Sequence, residues 1–509
     1  MTRNIVFFII FLIVISTPFA LLDYAHFPYS DGAEHGAAVR MLAKNMLHPG
    51  DPMLNMADAE SSRYVPSIFI MALVMKAGNL DVLAVLKLFI ILGLCFFLIS
   101  VALFSREYFN DPGQAPWSLA FLLFFWGLGW REANGYMFSS ILYTAYYPSV
   151  VAFSCAFLAL YFQLRFMRSK QQGLLAAAIA VGALSFANHP VTGIFFLACS
   201  ALLYLEQEGL NKKTVFCFAL TLMAVLCLTA LWPYYNFWDA FKRVAAGEMR
   251  NSMDYSLTRQ YLYSIPLLRA GPALIGIPIV IFFFTQRRYL LLWGGCAGFG
   301  FIYLAGYFVT ISLAERFIFF IMCLLQLASS RLVRQWFTAA SLPVISLKKI
   351  LMVVLLVALA GGGVLQSALV MKEFMYPCFF FPAGSLFPRY VNPNSMHHEL
   401  GNYLHKGDVV LSDLYTSWSV PVYTGAKIVA LFHIAPHIRD NPTRIRDVET
   451  FYSTFTTNAV RKEIIKKYGV THILLHFRIN GKQLEPVLRE MGFLVTVRSE
   501  SFCIFSVVN

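Results

Sequence analysis

Three ionisable side chains crowd into SDGAEH, where Asp31, Glu34 and His35 fall within five residues. A carboxylate so placed can take a proton from an incoming hydroxyl or amine. Gly32, beside Asp31, leaves room for a substrate to come close. Further along stand Glu132 in WREANGY, Asn188 and His189 before Pro190, and Glu315 with Arg316 in AERFIFF. Arginine suits a phosphate, because its planar fork matches phosphate oxygens and never loses its charge. These residue types fit group transfer to a hydroxyl or amine. Asp31 is the candidate base, and Arg316 the candidate cation for an anionic leaving group such as phosphate. Arg259 is a rival for the same task. Plainer roles suit some of them: Asp31 as a helix cap, Glu34 in a first helical turn, Glu315 and Arg316 as a mutual ion pair.

The chain that must position these groups is apolar. Of 509 residues, 58% are apolar and 13% charged, against about 25% charged in soluble domains. The mean hydropathy is +0.64. Several stretches approach or exceed the roughly 20 apolar residues that cross a bilayer. The net charge of +13 comes without a basic face or nucleic-acid motif, so nucleic acid is not an expected partner. Lys and Arg gather in cytoplasmic loops of membrane proteins, which accounts for the excess.

Eleven spans are expected, at 4–22, 81–104, 116–130, 148–166, 173–188, 191–207, 214–233, 266–285, 289–311, 313–331 and 349–371. The run 173–207 is split because Pro190 ends a helix. RFMRSK (165–170), NKK (211–213) and QRR (286–288) all fall on one side if the N-terminus is cytoplasmic. The other side then holds the first loop, 23–80, the break at 188–190, the loop 234–265 and everything after 371. YVPSIFIMALVMKAG (64–78) has too short an apolar run and is expected to lie along or dip into the outer leaflet. The basic residues of 234–265 run against the charge rule. Residues 376–395 carry four prolines and read as a linker. Beyond it, GDVVLSD, YTGAKIVALF, THILLHF, LVTVRSE and FCIFSVV are strand-like, with helical patterns and Gly stops between the later ones. The fold class is therefore a polytopic α-helical membrane domain, 1–375, with a soluble α/β domain, 396–509, on the outer face. On this topology Asp31, Glu34, His35, Glu132, Asn188, His189, Glu315 and Arg316 share the outer surface. Ionisable groups at such depth are costly and mark function.

The plan resembles the GT-C superfamily of membrane glycosyltransferases, the aminoarabinose and mannosyl transferases among them. The resembling elements come in order: SDGAEH (30–35) after a first span, RYVPSIF (63–69), WREANGY (130–136), AERFIFF (314–320) entering a late span, and KKYGVTHILL (466–475) in an outer α/β domain. The resemblance implies transfer of a sugar from a polyprenyl-phosphate donor to a glycan, lipid or protein acceptor. It implies Asp31 and Glu132 as catalytic residues, and Arg316 at the donor phosphate. Glu34, His35, Asn188, His189, Glu315 and Arg259 are carried as substrate-binding candidates. The first-loop Asp-Glu pair of the family is Asp31-Gly32 here, which leaves open whether Glu34 takes part. Members using lipid monophosphate donors generally need no catalytic metal, so no cofactor is expected. The implied location is the cytoplasmic (inner) membrane, with a cytoplasmic N-terminus, a periplasmic C-terminal domain and membrane lipids as neighbours. A flippase for lipid-linked sugars, and a polysaccharide polymerase or ligase with arginines in 234–265, are the alternatives.

Overall fold

The computed structural model describes residues 31–56, 61–127, 135–234, 259–264, 266–309, 311–338, 347–380, 389–390, 395–432, 438–477 and 481–507, with isolated positions between them. They fall into two units. One takes in Met1–Leu22, Lys87–Pro233 and Ser256–Tyr376, the other Asp23–Leu86, Tyr234–Tyr255 and Pro377–Asn509.

The first unit is helical. Among the described residues, seven helices are long and apolar enough to cross a membrane: Val82–Tyr108, Pro148–Ser169, Pro190–Glu208, Lys212–Ala230, Leu290–Val309, Ala314–Thr338 and Lys349–Lys372. Each coincides with an expected span. Three other expected spans are shorter helices, Gln114–Phe124, Gln172–Asn188 and Gly271–Thr285, the last opening with a 3₁₀ turn over Gly271–Ile275. The expected span at 4–22 lies almost wholly outside the described residues. The run 173–207 does break where Pro190 requires it. His189 is extended (φ −154°, ψ 100°) and Pro190 is the first residue of the next helix, where its missing N–H costs nothing.

Several polar side chains inside this unit find partners, which offsets the cost of placing them in a low-dielectric interior. Gln114 donates to the Ser118 and Ser330 hydroxyls at 3.2 and 3.0 Å. Gln326 donates to the Phe125 carbonyl at 2.9 Å and accepts from the Tyr136 hydroxyl at 3.0 Å. Asp111 binds Arg331 and Arg334 at 3.2 and 3.1 Å. Small residues let backbones touch, as at membrane helix interfaces generally. Gly93 lies so close to the Ala145 carbonyl that a Cβ there would run into it.

The second unit is built on a mixed five-stranded sheet. In chain order its strands are β1 (Val409–Leu411), β2 (Lys427–Ile428), β3 (His472–His476), β4 (Leu494–Arg498) and β5 (Phe502–Ser506), and in space they run β2-β1-β3-β5-β4. β1 pairs in parallel with β2 and β3, while β5 runs antiparallel to β3 and β4. The helix–Gly–strand patterns appear as expected. Asn458–Tyr468 ends at Gly469 (φ 61°) and leads into β3; Gly481–Glu490 leads into β4.

β1, β3 and β5 are buried on both faces, their side chains alternating between them with a period of two, while β4 at the edge is partly exposed. Val409, Leu411, Ile473, Leu475, Cys503 and Phe505 pack against Phe451, Ile464 and Leu488 of the later helices. Val410, Leu474, Phe502 and Ile504 face the other way and meet Ala37, Met53 and Leu54, from the first loop. That loop extends the sheet at its edge. Leu54 bridges Ile428 in parallel, and the Ile428 N–H donates to the Met53 carbonyl at 2.9 Å. Asp51 shapes the turn by accepting from the Met53 and Leu54 amides at 2.8 and 2.6 Å. The 64–78 stretch forms the helix Pro66–Gly78, 13 residues long. At 1.5 Å per residue it reaches about 20 Å, short of the ~30 Å hydrocarbon core.

Replacing Gly93 by Ala should lower the thermal stability of the detergent-purified protein, by about 1–3 kcal/mol, because the obstructing atom is backbone. Gly300 is the control, since a Cβ added there would meet nothing within 4 Å. Its Ala variant should melt with the wild type.

Candidate active site

Asp31 sits at the start of the helix Gly32–Lys44, whose first turn contains Glu34 and His35. Six of its 13 residues are alanine or glycine, which keeps the helix slim. Gly36 faces the helix Leu414–Thr424, and a Cβ at this position would strike Val422 and lie 3.2 Å from Leu86. The Asp31 side chain does not cap the helix. It is turned towards Arg63, with Oδ2 3.7 Å from a guanidinium nitrogen. The same guanidinium, through its other terminal nitrogen, pairs with Glu34. Arg63 thus ties together two carboxylates, and all three groups are largely shielded, with side-chain exposures of 18%, 16% and 4% for Arg63, Asp31 and Glu34. The second Glu34 oxygen accepts from the Trp418 indole N–H at 2.9 Å. Trp418 is fixed in turn by its ring contact with Phe432, 5.5 Å between centroids. His35 is buried on the same helix, and its amide closes the first turn on the Asp31 carbonyl at 2.9 Å.

Sequence reasoning does not single out two members of this group as site residues. Arg63 opens RYVPSIF, and its signal is a cation at the entrance to an apolar helix. Trp418 carries no local signal, since it is 384 residues from its partner.

The helical unit gathers a second set. Asn188 ends the helix Gln172–Asn188, and its side-chain amide donates back to the Leu184 carbonyl at 2.8 Å. His189 caps the following helix: its Nδ1 accepts from the Thr192 amide at 3.3 Å and lies 2.8 Å from the Thr192 hydroxyl. A narrow pocket here is lined by Tyr136, Ser149, His189, Thr192, Arg316 and Phe320. The structure therefore brings His189 and Arg316 to one cavity. Glu315 and Arg316 stand in the 3₁₀ turn Ala314–Phe317. Glu315 is fully buried, and among the described residues neither of its carboxylate oxygens, nor Arg316 Nε, has a hydrogen-bond partner. Arg259 donates to the Gly306 and Tyr307 carbonyls at 3.1 and 3.2 Å. It thereby serves the end of the helix Leu290–Val309, where cations are favoured. Glu132 lies outside the described residues.

No family model and no curated protein sequence matches the chain. Solved structures do. ArnT from Cupriavidus metallidurans, in the apo state, aligns over 99% of this chain and 98% of its own, with a TM-score of 0.57 at 13% identity. The Archaeoglobus fulgidus oligosaccharyltransferase, tethered to an acceptor peptide containing the NVT sequon, aligns over 94% of this chain and 69% of its own, with a TM-score of 0.49 at 12% identity. ArnT is a GT-C membrane glycosyltransferase, and this chain has its fold.

Removing one member of a shielded ion pair leaves the other charge unpaired, at a cost of about 3–5 kcal/mol. Arg63→Met should therefore lower the melting temperature sharply. Combining it with Glu34→Gln should recover part of that loss. A double-mutant cycle in thermal unfolding measures the coupling, and additive losses would show that Arg63 and Glu34 act independently.

Proposed function

We propose that the protein is a glycosyltransferase that moves a sugar from a polyprenyl-phosphate donor to an acceptor at the outer face of the cytoplasmic membrane. The observation that carries the reading is the state of Asp31. Its carboxylate is shielded and beside a glycine, and it is held by Arg63 instead of capping its helix. A carboxylate spent on a cap would be a structural residue; this one is kept oriented for another task. The fold shared with ArnT supports the same class of chemistry.

In this reading Asp31 accepts the proton of the acceptor hydroxyl or amine. The freed lone pair attacks the anomeric carbon. The bond from that carbon to the phosphate oxygen breaks, and its electron pair leaves with polyprenyl phosphate. A single in-line displacement inverts the anomeric centre. Arg316, whose Nε has no hydrogen-bond partner among the described residues, receives the phosphate. Its fork is matched to phosphate oxygens. Arg63 is a positioning residue: its guanidinium sets the orientation of the Asp31 carboxylate. Glu34 anchors Arg63 and is itself anchored by Trp418. Asn188, His189 and Glu315 serve substrate binding, and Glu132 assists catalysis by placing the acceptor or orienting the base. The reaction runs without a divalent cation, because Arg63 supplies a fixed positive charge to the carboxylate pair that would otherwise recruit one.

The test is transfer of labelled sugar from a polyprenyl-phosphate donor into acceptors of native membranes by the full-length protein. Asp31→Asn should reduce transfer by about 10²–10⁴-fold, the usual worth of a general base, while the protein stays folded, because Arg63 keeps Glu34 as its counter-charge. Retained transfer would remove Asp31 from catalysis, and a flippase would keep its activity in this variant. Arg316→Gln should raise the donor KM as well as lower kcat. Transfer should survive excess EDTA. A chelator that abolishes it would place the protein with metal-dependent members of the fold.

A further inference from the structure

A second group of charges, away from the carboxylate pair, collects around Gly425 in the sheet-containing unit. Gly425 follows the helix Leu414–Thr424 with φ 77°, a conformation that favours glycine. A Cβ on it would lie 3.5 Å from Arg40 Cδ and 3.9 Å from Lys406 Cβ, so these two side chains flank it. Lys44, the last residue of the helix Gly32–Lys44, reaches Lys406. Desolvation, and then this second cation, lowers the Lys44 pKa. Lys427, at the start of β2, donates from Nζ to the Asp51 carbonyl at 2.5 Å and also feels Lys44. Burial, with Lys44 adding to it, pulls the Lys427 pKa down to about 8.

Two helix C-termini meet here, and each attracts cations with roughly half a negative charge. That explains one or two basic residues and not four. Arg40 is partly answered by Asp81 at 3.7 Å and by the Val422 carbonyl at 2.9 Å. Lys44 and Lys406 are exposed, and among the described residues neither pairs with a carboxylate. Two like charges held side by side call for an anion between them.

The depth of the site identifies the anion's source. Asp81 immediately precedes Val82, where a 27-residue membrane helix begins, so the Arg40–Asp81 pair marks the level of the membrane surface. Leu47, three residues beyond Lys44, is 83% exposed. An exposed leucine beside a basic cluster at that level matches a lipid interface, with phosphates for the cations and hydrocarbon for the leucine. We propose that Arg40, Lys44, Lys406 and Lys427 form a binding site for the phosphate of an anionic phospholipid. The site is independent of the glycosyl-transfer reading and would hold whatever reaction the protein performs.

The test uses the full-length protein in mixed micelles containing phosphatidylglycerol or phosphatidylcholine, with retained lipid read by native mass spectrometry. Wild type should retain phosphatidylglycerol in preference to the zwitterionic lipid. Lys44→Gln/Lys406→Gln should weaken that retention by at least about tenfold, as expected for two basic residues at a membrane surface. Lys462→Gln/Lys466→Gln, which removes two exposed lysines from the helix Asn458–Tyr468, should leave retention unchanged. Undiminished retention in the Lys44/Lys406 pair, or an equal loss in the Lys462/Lys466 pair, overturns the proposal. So does displacement of the lipid by excess inorganic phosphate, which would make this a site for the free anion.

Discussion

The sheet near the C-terminus buries one face entirely against the helices that follow its strands, whereas the cover of its other face draws on two distant parts of the chain. Its other face presents Val410, Leu474, Phe502 and Ile504, and burying side chains of this kind is worth about 1.5–3 kcal/mol each. Leu400, Leu404 and Val420 cover part of it, and the first loop, far away in sequence, covers the rest. Ala37, Met53 and Leu54 complete that core, and Leu54 bridges the edge at Ile428. Everything proposed for Asp31 depends on this burial. The helix that carries Asp31, Glu34 and His35 is a structural layer of the sheet domain, and the carboxylates inherit its rigidity.

The helical unit answers a different constraint. In an apolar interior, backbone and side-chain polar groups must be satisfied locally. The break at Asn188-His189-Pro190 is satisfied by its own residues, through Asn188 to Leu184 and His189 to Thr192. Glu315 and Arg316 Nε are left unsatisfied among the described residues. A native fold tolerates such groups where a ligand completes them. Arg259 also has an unpartnered Nε among the described residues, but its terminal nitrogen already serves the Gly306 and Tyr307 carbonyls, which is a physical reason to rank Arg316 above it.

Much of this architecture is legible in the sequence. Long apolar runs locate the helices, because length and hydropathy dictate a membrane span. Pro190 locates the break. Period-two alternation and Gly469 locate the strands and their helices. Partnership is what the sequence hides. Nothing in SDGAEH says that Asp31 and Glu34 share Arg63, or that Glu34 meets Trp418, since a pattern reports a residue's own face and not what lies across from it. The helix Leu414–Thr424 escapes notice for a related reason. It contains Pro421, which lowers its helical propensity, yet Asp413 caps it through the Tyr415 and Thr416 amides at 3.1 and 3.0 Å and tertiary packing decides the outcome. The YTGAKIVALF stretch has a strand pattern over its length but yields only Lys427–Ile428.

The bond from Trp418 to Glu34 also has a consequence in time. Its partners are 384 residues apart, and ribosomes add about 5–20 residues per second. The amino-terminal helix therefore emerges roughly 20–80 s before the indole that will hold it. Throughout that interval its carboxylates lack their final setting. The setting of Asp31 and Glu34 is thus complete only once almost the whole chain has been made, and a prematurely terminated chain would lack it.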